Sequence, residues 1–86
     1  MLEQEIIQRI RDLYPNAAIE ASGENCSFEV FVVDPLFADM KPLQRQQSIL
    51  QLFSEELKTG KLHALGVKAK TPAELTSTPN NLVQIG

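Results

Sequence analysis

The sequence predicts an α+β fold with elements in the order αββααβ and a short final helix, forming a three-stranded sheet covered by helices on one face. Three observations predict it. Apolar residues recur at helical spacing over 2–13 and 43–57, and alternate with polar residues over 17–22 and 62–70. The run SFEVFVV lies between these segments and reads as a strand that pairs back onto the first alternating segment. The whole chain has 86 residues, 43% of them hydrophobic, which suits one modest core and no second domain.

Each element has a local cause. In the first segment Leu2, Ile6, Ile10 and Leu13 share a helical stripe, and Tyr14-Pro15-Asn16 ends it because proline disfavours helical geometry in the residue before it. Ala17, Ile19 and Ala21 then alternate with Ala18, Glu20 and Ser22, the period of a half-buried strand. Ser22-Gly23-Glu24-Asn25 carries turn residues and predicts a hairpin into SFEVFVV, which Asp34-Pro35 breaks. A short element is expected over 36–40. Pro42 then suits the first turn of the strongest predicted helix, 43–57, with Leu43, Leu50, Phe53 and Leu57 on one stripe, Ile49 beside them, and Thr59-Gly60 as its stop. The third strand, 62–70, places His63, Leu65, Val67 and Ala69 on one face and Ala64, Gly66, Lys68 and Lys70 on the other. Thr71-Pro72-Ala73-Glu74 is a helix start with a threonine cap, a proline at the first position and a glutamate at the third. Residues 1–76 are therefore read as one domain and 77–86 as a partly mobile tail.

Composition narrows the function classes. No apolar run approaches the roughly 20 residues of a membrane helix, and the acidic, periodic N-terminus does not read as a secretory signal. One cysteine allows no internal disulfide, so a reduced, cytoplasmic setting is expected. The net charge of −3 is unevenly spread: residues 1–40 carry −6 and residues 41–70 carry +4. An acidic chain is a poor general nucleic-acid binder, although a basic half can still attract phosphate.

The motifs point away from catalysis. The sequence has no glycine-rich phosphate loop, no paired-histidine metalloprotease motif and no CxxC. No set of acid, base and nucleophile converges by spacing, so the expectation is a protein that is not an enzyme. Two residues stand out by type: Cys26, the single cysteine, at the exit of the predicted turn, and His63, the single histidine, at the start of the third strand. Both are soft or borderline metal ligands. Zinc and iron–sulfur centres usually take four ligands. If Cys26 and His63 are ligands, a partner must complete the site.

Several stretches, taken in order, carry a family resemblance: FEVFVV, then Leu36-Phe37, then PLQRQQSILQLFSEEL, then LHALGVKAKTPAEL. Together they span 25–75 and resemble the BolA-like family, and Gln46-Gln47 resembles its bacterial acid-stress branch. Two positions depart from the family pattern: Arg45-Gln46, where many members have arginine-histidine, and Leu75, where many have tryptophan. The resemblance implies a fold similar to class II KH domains. It also implies a stress-related or iron-related role as partner of a monothiol glutaredoxin, with a [2Fe–2S] cluster bridged between the two proteins and glutathione. On this resemblance His63 matches the family's C-terminal ligand histidine, and Cys26 matches the second ligand in the loop between the first two strands. The isolated chain is expected to hold no cluster alone. The KH-like resemblance also implies an alternative, a DNA-binding transcriptional regulator using Lys41, Arg45, Lys68 and Lys70 as a basic strip; the GXXG loop of KH domains is absent.

Overall fold

A computed structural model of the chain describes residues 2–75. Helix α1 (Glu3–Leu13) is followed by strands β1 (Ala18–Glu24) and β2 (Ser27–Val33). A 3-10 turn (Pro35–Asp39) leads to helix α2 (Pro42–Leu50), a second 3-10 turn (Gln51–Phe53), helix α3 (Ser54–Thr59) and strand β3 (Ala64–Lys70). Residues 72–75 then form a helical turn. The predicted α+β class and element order are both observed. The tail 77–86 lies outside the described residues. No helix among the described residues is long and apolar enough to cross a membrane.

The sheet has the order β1-β2-β3, with β1 and β2 antiparallel and β2 and β3 parallel. A parallel pair needs a long crossover, and the two 3-10 turns with α2 and α3 supply it. Alternation decides which face the helices cover. Phe28, Val30 and Val32 of β2 are buried, and Ile19, Ala21, Leu65, Val67 and Ala69 pack beside them on the same core. Ile6 and Ile10 of α1, Phe37 of the first 3-10 turn, and Ile49, Phe53 and Leu62 complete that core, each fully buried. Tyr14 closes one end. Its ring meets Phe37 edge to face at 4.9 Å and its hydroxyl lies 2.8 Å from Ser48 Oγ.

Three predicted details change. Turn residues at 22–24 belong to β1, and the turn is the pair Asn25-Cys26 between Glu24 and Ser27. Glycine at 23 permits this, because its φ of 144° and its close approach to Phe28 suit no side chain. The helix expected over 43–57 is divided by the 3-10 turn at Gln51–Phe53. Its inward stripe is Arg45, Ile49 and Phe53, spaced four apart, while Leu43 is 62% exposed and Leu50 and Leu57 are half-buried. In α1, likewise, Ile6 and Ile10 are inside, but Leu2 and Leu13 face outward and Tyr14 takes the buried place at the helix end.

Candidate metal centre

Two turns bring the candidate ligands into place. The first is the hairpin. Asn25 adopts φ 59°, the left-handed region that asparagine tolerates better than most residues, so the chain reverses in two residues and leaves Cys26, half-buried, at the mouth of β2. The second is the exit from α3. Gly60 takes φ 88° as a left-handed cap. The Glu56 carbonyl accepts hydrogen bonds from the backbone N–H of both Gly60 (3.1 Å) and Leu62 (3.0 Å). Leu62 is fully buried, which fixes the following residue, His63, at the entrance to β3 with its side chain exposed.

These two turns meet. The parallel register pairs Ser27 with Ala64, and one step earlier the Cys26 carbonyl accepts from the His63 N–H at 2.6 Å and from the Ala64 N–H at 3.3 Å. The single cysteine and single histidine are thus hydrogen-bonded backbone neighbours at one corner of the sheet. His63 continues the face of Leu65 and Val67, and Cys26 adjoins Phe28. No group of three or more His, Cys, Asp and Glu side chains that could hold a metal occurs among the described residues. By type, a half-buried thiol and an exposed imidazole at one corner are donors that suit a soft or borderline metal, and two such donors fall short of the usual four.

An ion pair absent from the sequence reading braces this corner. The Arg9 guanidinium donates to both carboxylate oxygens of Glu56 (2.8 and 2.6 Å) and to the Leu52 carbonyl (3.0 Å), and lies 5.4 Å from the centroid of the Phe53 ring. Its charge-assisted bonds hold the Glu56 carboxyl down at about 2. Glu56 therefore ties α3 to α1 through its side chain and receives the approach to His63 through its backbone. No local pattern marks this pair, since Arg9 and Glu56 sit on different elements far apart in sequence.

The basic strip does not form as predicted. Arg45 is buried, because its guanidinium donates to Met40 and Ala69 carbonyls and to both carboxylate oxygens of Glu74, at 2.8 and 3.2 Å, above the Phe37 ring. A guanidinium held by that many acceptors is not free for phosphate. Lys41, Lys68 and Lys70 remain exposed. Lys68 and Lys70 project from the sheet face opposite the helices, whereas Lys41 precedes α2.

Residues 3–74 match the model of the family described as BolA-like protein. The chain belongs to the BolA-like family. Mouse BolA-like protein 1 is 38% identical over 80 residues, which cover 91% of this chain and 58% of the mouse protein, so this chain spans little more than half the length of that relative. The acid stress protein IbaG of Escherichia coli K12 is 34% identical over 56 residues, or 65% of this chain and 67% of IbaG. Among solved structures, a bolA protein homologue from Coxiella burnetii superposes with a TM-score of 0.72 at 25% identity, over 88% of this chain and 97% of that one. Cys26, His63 and the Arg9–Glu56 brace all lie within the stretch matched to the BolA-like family.

Proposed function

We propose that this BolA-like protein is a non-enzymatic, cytoplasmic partner of a monothiol glutaredoxin. In this reading it supplies Cys26 and His63 as its half of a bridged [2Fe–2S] cluster, in iron–sulfur trafficking or in iron and stress regulation. The observation that carries the reading is the hydrogen bond from the His63 N–H to the Cys26 carbonyl, at 2.6 Å, which sets the two donor residues side by side. Two ligands do not close a cluster. A glutaredoxin cysteine and glutathione complete the usual four.

The chemistry of the pair follows from its composition. The cluster, when held, supplies a one-electron redox centre and transferable iron and sulfide. Imidazole donates less charge than thiolate, so ligation by His63 raises the potential above that of an all-cysteine site. His63 binds only as the neutral ring and Cys26 only as thiolate, so occupancy falls as either is protonated. Buried Leu62, the Glu56 carbonyl and the Arg9–Glu56 pair support the approach to His63, whose N–H meets the Cys26 carbonyl.

The test mixes the protein with a monothiol glutaredoxin, glutathione, iron and sulfide and records visible absorption and circular dichroism. His63→Ala should alter the cluster's dichroism or shorten its lifetime, and Cys26→Ser should do the same by removing the thiolate. An unchanged spectrum at full cluster occupancy in both variants would overturn the assignment. If no mixed cluster forms with the unaltered protein, the partner itself is wrong.

A further inference from the structure

The sheet face turned away from the helices carries a pattern that the site does not use. Its cross-strand rows, read from β1 through β2 to β3, are Ala18–Val33–Lys70, Glu20–Phe31–Lys68, Ser22–Glu29–Gly66 and Glu24–Ser27–Ala64. Phe31 and Val33 are half-buried and the rest are exposed. The β1 side is acidic, the β3 side is basic, and an aromatic ring lies between them. Glu20 and Lys68 flank Phe31 from strands two places apart, about 10 Å across the sheet. Neither enters an ion pair among the described residues.

We propose that this face binds a second copy of the chain, sheet against sheet, about a two-fold axis parallel to the strands. The charge pattern selects that axis. A two-fold across the strands would set β1 over β1 and β3 over β3, stacking acid on acid and lysine on lysine. A two-fold along the strands sets β1 over the partner's β3 and β2 over the partner's β2. Glu20 then faces the partner's Lys68, and the same pair repeats on the other side of the axis. The two Phe31 rings meet at the centre, as the anchor of a small apolar patch with Val33.

Glu29 is the apparent obstacle, since it sits on β2 near the axis and would oppose its own copy. Its side chain leans away from the axis. A Cβ built on Gly66 would lie 3.4 Å from Glu29 Cγ and 3.5 Å from Oε2, so the carboxylate folds sideways over the one position in its row without a side chain. There it faces the partner's Ser22, a hydroxyl that can donate to it. The sheet face measures about 23 by 14 Å from strand length and spacing, well under the ~800 Å² that each partner gives to a standard interface. The pair is therefore weak and concentration-dependent, not a permanent dimer. Because Cys26 and His63 follow the helix-covered face, pairing leaves that corner free.

The experiment measures self-association of the full chain by sedimentation velocity and by ¹H–¹⁵N spectra, from micromolar to millimolar concentration. Concentration-dependent shifts should map to Glu20, Glu29, Phe31 and Lys68. Lys68→Glu and Glu20→Lys should each weaken association about tenfold, and the double exchange should return it to within about threefold of the original, because the pair is restored with its signs swapped. These positions are exposed, so unchanged far-ultraviolet dichroism confirms that each variant folds. The proposal is overturned by a monomer at every concentration. It is equally overturned by shifts that map to Leu43, Leu50 and Leu57 on the helices, or by a double variant no better than the singles.

Discussion

Cys26 owes its position to its neighbours more than to itself. Gly23 holds a φ of 144°, and a Cβ there would come within 2.7 Å of the Phe28 Cα, so Gly23→Ala forces the hairpin apart. The expected loss is about 1–3 kcal/mol of stability, from strain at a conformation closed to side chains; urea denaturation measures it. Asn25→Gly should leave stability nearly unchanged, since glycine adopts φ 59° at least as readily. The two candidate ligands were legible in the sequence because each is the only one of its type. Their meeting was not. It depends on a parallel pairing between β2 and β3, and nothing local at Cys26 or His63 states which strands pair. The buried role of Arg45 was hidden for a related reason: a cation in a helix reads as surface until its acceptors, at Met40 just after the 3-10 turn, on β3 and in the final turn, are known.

The α2–α3 segment shows how an expected helical face can be turned partly aside. Of the expected stripe Leu43, Leu50, Phe53 and Leu57 with Ile49 beside it, Phe53 and Ile49 are fully buried, Leu50 and Leu57 are half-buried and Leu43 is exposed, so the inward line runs Arg45, Ile49, Phe53. The 3-10 turn at Gln51–Phe53 changes the winding between the two helices, which a single helical period does not capture. Ile49→Ala, at a fully buried position, should cost about 2–5 kcal/mol, whereas Leu43→Ala at its exposed position should change stability little; the same denaturation curves separate them. The pH response also belongs to the elements. Arg9 holds Glu56 at about 2, joining α1 to α3, and Arg45 holds Glu74 at about 2, joining α2 to the final turn. Both carboxylates are depressed below the ordinary glutamate value of about 4.3. Their stabilisation is therefore complete above that value and lost as pH falls toward 2. Thermal melts followed by circular dichroism should be flat near neutrality and drop through the acid range. Glu56→Gln with Glu74→Gln should lower the neutral melting temperature and flatten the drop.

For the whole molecule, the element order was legible from periodicity alone, because each change from helical to alternating spacing falls at a proline, glycine or asparagine. The sheet order was not, since placing β3 beside β2 is a decision of the crossover and the shared core. That decision gives His63 its setting, with a side chain in water and a backbone N–H closed by Cys26. Hydrogen exchange should find the His63 amide protected well beyond its exposed neighbour Lys61; rapid exchange there would mean that the corner opens readily. The contact between Arg45 and Glu74 reaches further than pH. Arg45 lies inside the domain, and part of what neutralises it arrives with the last described turn, where Thr71 Oγ1 accepts the Glu74 N–H and Glu74 Oε1 accepts the Thr71 N–H. A chain ended at Lys70 keeps every strand and nearly all of the apolar core, yet leaves a guanidinium indoors without its anion. How short this domain can be made, or where a fusion can be joined, is thus decided by one charge and not by the end of the sheet.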